Sequence, residues 1–213
     1  MKKHTKYLYG AIGLLAAFAL WTAALCHLDV QAIGPNGSVV GFASMNRIFH
    51  NMTGVHMTLY HITDWLGLVP TFFALGFAIL GLVQCIRRKN ILKVDGSILV
   101  LGGYYLLVIG AYLFFESVVI NFRPVLIAGY LEASYPSSTT LLVLCVMPTA
   151  ILQLRRRIQC AAGRACITYG ITAFMLFMVV GRLLSGVHWL SDIIGGVLLS
   201  AGLVLLYCAF AEK

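Results

Sequence analysis

Six stretches of about twenty mostly apolar residues divide this chain, and that length is what an α-helix needs to cross the hydrocarbon core of a bilayer. They run Tyr7–Leu25, Trp65–Ile86, Gly96–Phe115, Pro136–Leu154, Ala165–Gly181 and Trp189–Phe210. Backbone groups within lipid must be satisfied inside their own segment, so runs of this kind fold as helices. Only 10% of residues are charged, against about 25% in soluble domains. The expected fold is therefore all-α: a six-helix membrane bundle, with residues 1–213 forming one domain. Lys2, Lys3 and Lys6 ahead of the first stretch resemble the start of a signal peptide. No small-residue cleavage site follows, so that stretch is read as a span.

The basic residues orient the bundle. Twelve of fifteen Lys and Arg fall on one side: Lys2, Lys3, Lys6, Arg87, Arg88, Lys89, Lys93, Arg155, Arg156, Arg157, Arg164 and Lys213. Only Arg47, Arg123 and Arg182 fall on the other. The positive-inside rule places both termini in the cytoplasm of a cell-membrane protein. It also accounts for the net charge of +8 without nucleic acid as a partner. The six cysteines show neither a disulfide framework nor metal-ligand spacing. No sequence feature sets an oligomeric state.

The first outer loop, residues 26–64, is long. Phe42, Met45, Ile48, Phe49, Met52, Val55, Leu59 and Ile62 recur at helical spacing, and Asn46, Arg47, His50, Asn51, Thr58 and His61 fill much of the opposite face. The pattern predicts one amphipathic helix lying in the membrane interface. The Gly34-Pro35-Asn36-Gly37 run before it reads as a turn. His50, His56 and His61 do not share a helical face, so no metal site is expected.

Three polar clusters remain, each at the outer end of an apolar stretch, where polar groups are costly and mark functional sites. His188 and Asp192 stand four apart, so both fall on one face of a helix start. A carboxylate there can hold one ring nitrogen as N–H and leave the other as a lone pair, the base-and-orienter logic of an activated nucleophile. Arg123 and Arg182 carry planar donor forks that match phosphate. Ser137, Ser138 and Thr139 follow Pro136 at the start of the fourth span. They serve as a helix cap, and equally as hydroxyls around the free N–H groups of an anion-binding helix N-terminus. Together these groups are suited to phosphate.

The chain resembles the type 2 phosphatidic acid phosphatase family, membrane relatives of vanadium haloperoxidases. The family motifs are K-x6-R-P, P-S-G-H and S-R-x5-H-x3-D. Here they read E-SVVINF-R-P, P-S-S-T and G-R-LLSGV-H-WLS-D. The resemblance implies that His188 is the nucleophile on phosphorus, with Asp192 orienting it. It implies that Arg123, Arg182, Ser137, Ser138 and Thr139 hold the phosphoryl group, and that no metal or cofactor is needed. The chain departs from the motifs at four positions. Gly181 replaces a serine and Ser138 a glycine. Thr139 stands where the family has the histidine that protonates the leaving oxygen, and Glu116 where it has a phosphate-binding lysine. Glu116 is then protonated, paired with an arginine, or turned away from phosphate. A protonated Glu116 is one candidate for the role that Thr139 leaves vacant, and Glu132 and Tyr135 are the others.

The expected function is a membrane phosphatase or phosphotransferase acting on a lipid phosphate or pyrophosphate through a phosphohistidine. Undecaprenyl pyrophosphate, phosphatidate and phosphatidylglycerophosphate suit an oily groove beside a basic pocket equally. The alternatives are a catalytically impaired relative that binds phosphorylated lipid, and a small transporter or structural membrane protein. Orientation is directly testable on intact cells in chains lacking Cys26. Cysteines introduced at Asn36 and Glu132 should react with an impermeant thiol reagent, and one at Asn90 should not. Labelling at Asn90 alone would reverse the topology.

Overall fold

The computed structural model describes residues 3–211; Met1, Lys2, Glu212 and Lys213 lie outside them. Eight α-helices form: α1 (Lys3–His27), α2 (Ala43–Thr53), α3 (Met57–Leu66), α4 (Leu68–Arg88), α5 (Gly96–Ser117), α6 (Ser138–Arg157), α7 (Ala161–Leu184) and α8 (Leu190–Ala211). Six segments are long and apolar enough to cross a membrane, with α3 and α4 counted as one, Met57–Arg88. The helix boundaries extend beyond the apolar stretches by one to four residues at most ends, because polar end residues such as Arg155 to Arg157 continue the helical turn.

Apolar side chains facing lipid need no protein partner, so burial concentrates on two helices. About half of the most apolar window of α6 and of α8 is buried, against roughly a fifth or less elsewhere. α1 lies along α8 through small residues: a methyl added at Gly10 would sit 2.9 Å from Leu205, and one at Gly202 would sit 2.8 Å from Leu15. Such contacts let two helix backbones approach closely in lipid. Polar groups between α5, α6 and α8 form a linked set. Gln153 donates to Tyr207 (2.7 Å) and to the Ser97 carbonyl (3.0 Å), and Arg157 donates to Gln153. His4 packs edge-on against Phe210, so the start of α1 and the end of α8 meet at one face. The basic turns at 87–93 and 155–164 share that face by the alternation of the helices. His188, Arg123 and Ser137 gather at the opposite face.

The segment predicted as one amphipathic helix is two. Gly54 ends α2 at φ 69°, ψ −162°, a conformation reserved for glycine, and α3 starts at Met57. The break lets the chain fold against the α7–α8 turn. His56 N–H donates to the Ser185 carbonyl (2.9 Å), and a Cβ at Gly186 would lie 2.0 Å from the Gly54 carbonyl oxygen. Ile48 and Met52 are exposed as expected of an apolar face, but Asn46, expected on the polar face, is fully buried against α8.

Gly186 has φ 70°, so it meets both a backbone clash and a strained conformation on gaining a side chain. Gly186→Ala should cost more than about 2 kcal/mol, which lowers the unfolding midpoint by at least about 4 °C at roughly 2–4 °C per kcal/mol. Gly103→Ala, in open space on α5, should be neutral or stabilising. Thermal unfolding of both variants in the same detergent checks the pair, and equal midpoints would refute the packing argument.

Candidate active site

His188 sits in the turn between α7 and α8. Its neighbour Trp189 anchors the turn by donating its indole N–H to the Phe122 carbonyl (2.8 Å). Arg123 comes from the connection between α5 and α6, where the chain doubles back: Arg123 N–H donates to the Glu132 carbonyl (3.0 Å) and Ser134 N–H to that of Asn121 (2.9 Å). Arg182 lies in the last turn of α7, 1% exposed, and is the largest fully buried side chain. The two guanidinium groups converge on one atom. His188 Nε2 is 3.2 Å from Arg123 Nη1 and 3.4 Å from Arg182 Nη2.

That convergence assigns the tautomer. A guanidinium only donates, so Nε2 carries the lone pair and the ring proton resides on Nδ1. Burial, and then the charges of Arg123 and Arg182, hold the imidazole well below its usual pKa range; the Ser134 backbone opposes them. His188 is thus a neutral imidazole with its lone pair facing two cations.

Asp192 approaches His188 less closely than the spacing implied. Its Oδ2 is 3.8 Å from Nδ1, beyond hydrogen-bond range. Oδ2 accepts instead from Trp189 N–H (2.9 Å), closing the first turn of α8 as an N3 capping carboxylate does. Oδ1 accepts from Asn121 Nδ2 (3.3 Å). Asp192 therefore fixes the helix start that carries His188 and presents its charge to Nδ1 across a short gap.

Each arginine has a carboxylate. Arg123 Nε is 3.0 Å from Glu132 Oε2, although its N–H is not aimed at that oxygen. Arg182 Nη1 is 3.5 Å from Asp64 Oδ1, and its guanidinium lies 5.0 Å over the ring of Tyr60. The buried Nε atoms of Arg123 and Arg182 have no hydrogen-bond acceptor within the protein. Two adjacent cations thus carry buried donors of a kind suited to an anion.

The other expected residues divide. Ser138 and Glu116 line the same narrow recess as His188, together with Tyr112, Phe115 and Tyr135. Glu116 is exposed at the end of α5 and forms an ion pair with neither arginine. Ser137 is the N-cap of α6: its hydroxyl accepts from Thr140 N–H (3.5 Å) and Thr140 Oγ1 (3.1 Å), so capping occupies it. Thr139 makes no hydrogen bond with His188, Arg123 or Arg182, and its methyl would lie 3.5 Å from a side chain at Gly67. The N–H groups of Ser138 and Thr139 open α6 and have no helical acceptor of their own. Asp64, Tyr60, Asn121 and Asn46 were not identified from the sequence. Asp64 carried a signal, being a carboxylate beside an apolar span. The amides carried none. No group of three His, Cys, Asp or Glu suited to a metal comes together among the described residues.

Residues 97–213 match the PAP2 superfamily, a range that holds all three polar clusters. The chain belongs to the PAP2 superfamily. No curated protein sequence matches it. Among solved structures, its fold is similar to the first transmembrane PAP2 type phosphatidylglycerolphosphate phosphatase from Bacillus subtilis. The TM-score is 0.62 at 20% sequence identity, over 96% of this chain and 97% of that one. The likeness is one of fold, and it extends over α1 to α4 as well as over the part matched by the family.

The buried neutral imidazole ties stability to pH. Below about pH 6.5 an unfolded chain protonates His188 while the folded one does not, so the unfolded state binds more protons. Stability is full above that value and falls as pH drops towards the folded pKa. The unfolding midpoint of the wild type should fall more between pH 7.5 and pH 5.5 than that of His188→Gln. Equal decreases would show that His188 is not held neutral.

Proposed function

We propose that this PAP2 protein is a metal-independent membrane phosphatase or phosphotransferase that acts on a lipid phosphate or pyrophosphate through a phosphohistidine. The observation that carries the reading is the lone pair of His188 Nε2, faced by two arginines that retain unfilled buried donors. Nε2 attacks phosphorus, forming an N–P bond as the P–O bond to the lipid breaks. Arg123 and Arg182 turn from Glu132 and Asp64 to the phosphoryl oxygens. The N–H groups of Ser138 and Thr139 and the hydroxyl of Ser138 add donors at the start of α6, and Ser137 keeps that helix start in place. Asp192 balances the positive charge that the ring gains. Water, or another hydroxyl acceptor, then attacks phosphorus and releases the histidine.

The leaving oxygen needs a proton, worth about 10²–10⁴-fold in rate. Thr139 cannot supply it near neutral pH. Glu116 lines the recess that reaches His188, and in this scheme its protonated carboxyl is the donor. The site opens on the outer face of the cell membrane with both termini in the cytoplasm, an orientation that the basic turns on the opposite face support. Thr139 also motivates a second reading, a catalytically impaired relative that binds phosphorylated lipid.

Phosphate release by detergent-purified protein from a panel of lipid phosphates separates the two readings. His188→Ala should abolish release, and Asp192→Asn should reduce it less, because it loses orientation and not the nucleophile. Glu116→Gln should lose much of kcat, together with the high-pH decline expected of an acid. Undiminished release by His188→Ala overturns the mechanism. A gain in activity with Glu116→Lys overturns the acid.

A further inference from the structure

α2 is a mostly exposed helix that buries only Ala43 and Asn46. Asn46 is the exception on its polar face, 0% exposed, with every polar atom of its side chain in use. Its two amide N–H groups donate to the Gly41 carbonyl and to Ser191 Oγ, both at 2.9 Å, and its Oδ1 accepts from Ser191 N–H at 3.1 Å. Ser191 is the residue before Asp192. A hydroxyl has one proton. Because Ser191 Oγ accepts from Asn46, that proton is directed to Asp192 Oδ1, 3.5 Å away. Asn121 donates to the same oxygen. With Oδ1 held from one side, the carboxylate plane is set and Oδ2 is the oxygen that faces His188 Nδ1. Asn46 also pairs the Gly41 carbonyl and the Ser191 N–H, a structural role that its bond to the Ser191 hydroxyl extends towards Asp192.

We propose that Asn46, on α2, is a positioning residue for the phosphoryl-transfer site: through Ser191 it sets the orientation of the Asp192 carboxylate and so the aim of His188 Nε2. This rests on the assignment of His188 as the nucleophile. The relay runs Asn46 N–H to Ser191 O–H to Asp192 Oδ1, and no bond is made or broken along it. Its effect falls on the transition state. A misaimed nucleophile leaves ground-state phosphate binding intact and weakens the five-coordinate state in which Nε2 bonds to phosphorus.

Orthovanadate, which becomes five-coordinate on accepting a nucleophile, and inorganic phosphate report the two states separately. Their affinities for full-length protein in detergent should be measured by calorimetry. Wild type should prefer vanadate, and His188→Ala should lose that preference. Asn46→Ala should bind vanadate about tenfold more weakly while phosphate affinity stays within about twofold. Ser191→Ala should behave likewise, Ser191→Thr should keep the wild-type preference because it keeps the hydroxyl, and the double alanine variant should be no worse than the weaker single one. If Asn46→Ala does not fold, the Ser191 pair decides alone. Parallel loss of both anions, or loss of neither, overturns the positioning role while leaving the nucleophile assignment standing. A wild type that does not distinguish the two anions overturns both.

Discussion

Two buried arginines meeting at one imidazole nitrogen set conditions that the surrounding structure must satisfy. Like charges this close repel by an energy on the order of a few kcal/mol even at an effective dielectric near 20. An arginine removed from water also needs partners for its donors. Glu132 and Asp64 supply opposite charge, and the face of Tyr60 supplies a π surface for Arg182. Both carboxylates retain contact with solvent, with side chains 42% and 54% exposed. They are therefore exchangeable partners, able to give up the arginines to a competing anion at small cost. A fully buried acid would lock the guanidinium groups instead.

Supplying those partners explains the shape of the chain around the site. Asp64 and Tyr60 come from α3, which reaches the end of α7 only because the segment breaks at Gly54 and the two glycines Gly54 and Gly186 let backbones touch. Glu132 comes from the doubled-back segment after α5, pinned by the Arg123–Glu132 and Asn121–Ser134 backbone bonds. The apolar spans bring the clusters to one face. These two short connections bring them within hydrogen-bond distance.

The parts legible in the sequence were those with a period or a fixed spacing. Apolar length gave the spans, and spacing gave His188, Arg182 and Arg123, because membrane burial and helical geometry act on the residues themselves. Sequence reasoning did not find that α2 and α3 separate, since a helical period passes through Gly54 without interruption and only the contact with Gly186 makes use of its φ of 69°. Nor did it find Asn46. On a helical wheel that residue belongs to the solvated face, and its partner Ser191 lies 145 positions away. Asp192 was assigned as the direct partner of the histidine. The competing demand of the helix start, whose N–H at Trp189 takes the same oxygen, draws it to 3.8 Å.

Gly181 bears on how the departures from the family motifs are to be weighed. A serine there, as the family has, would place its Cβ 2.7 Å from Thr63 Cγ2, so either the Thr63 side chain or α3 would have to shift. Thr63 is fully buried one residue before Asp64. The loss of the serine is therefore coupled to the docking of α3, and the docking of α3 is what sets Asp64 and Tyr60 against Arg182. Read as an isolated change, Gly181 looks like erosion of a motif. In its structural setting it makes room for α3, which carries the acidic partner of Arg182. Glu116 likewise puts a carboxyl where the family has a lysine, exposed at the end of α5 and paired with neither arginine. Glu132 and Asp64 thus balance the two buried cations from positions that keep contact with solvent.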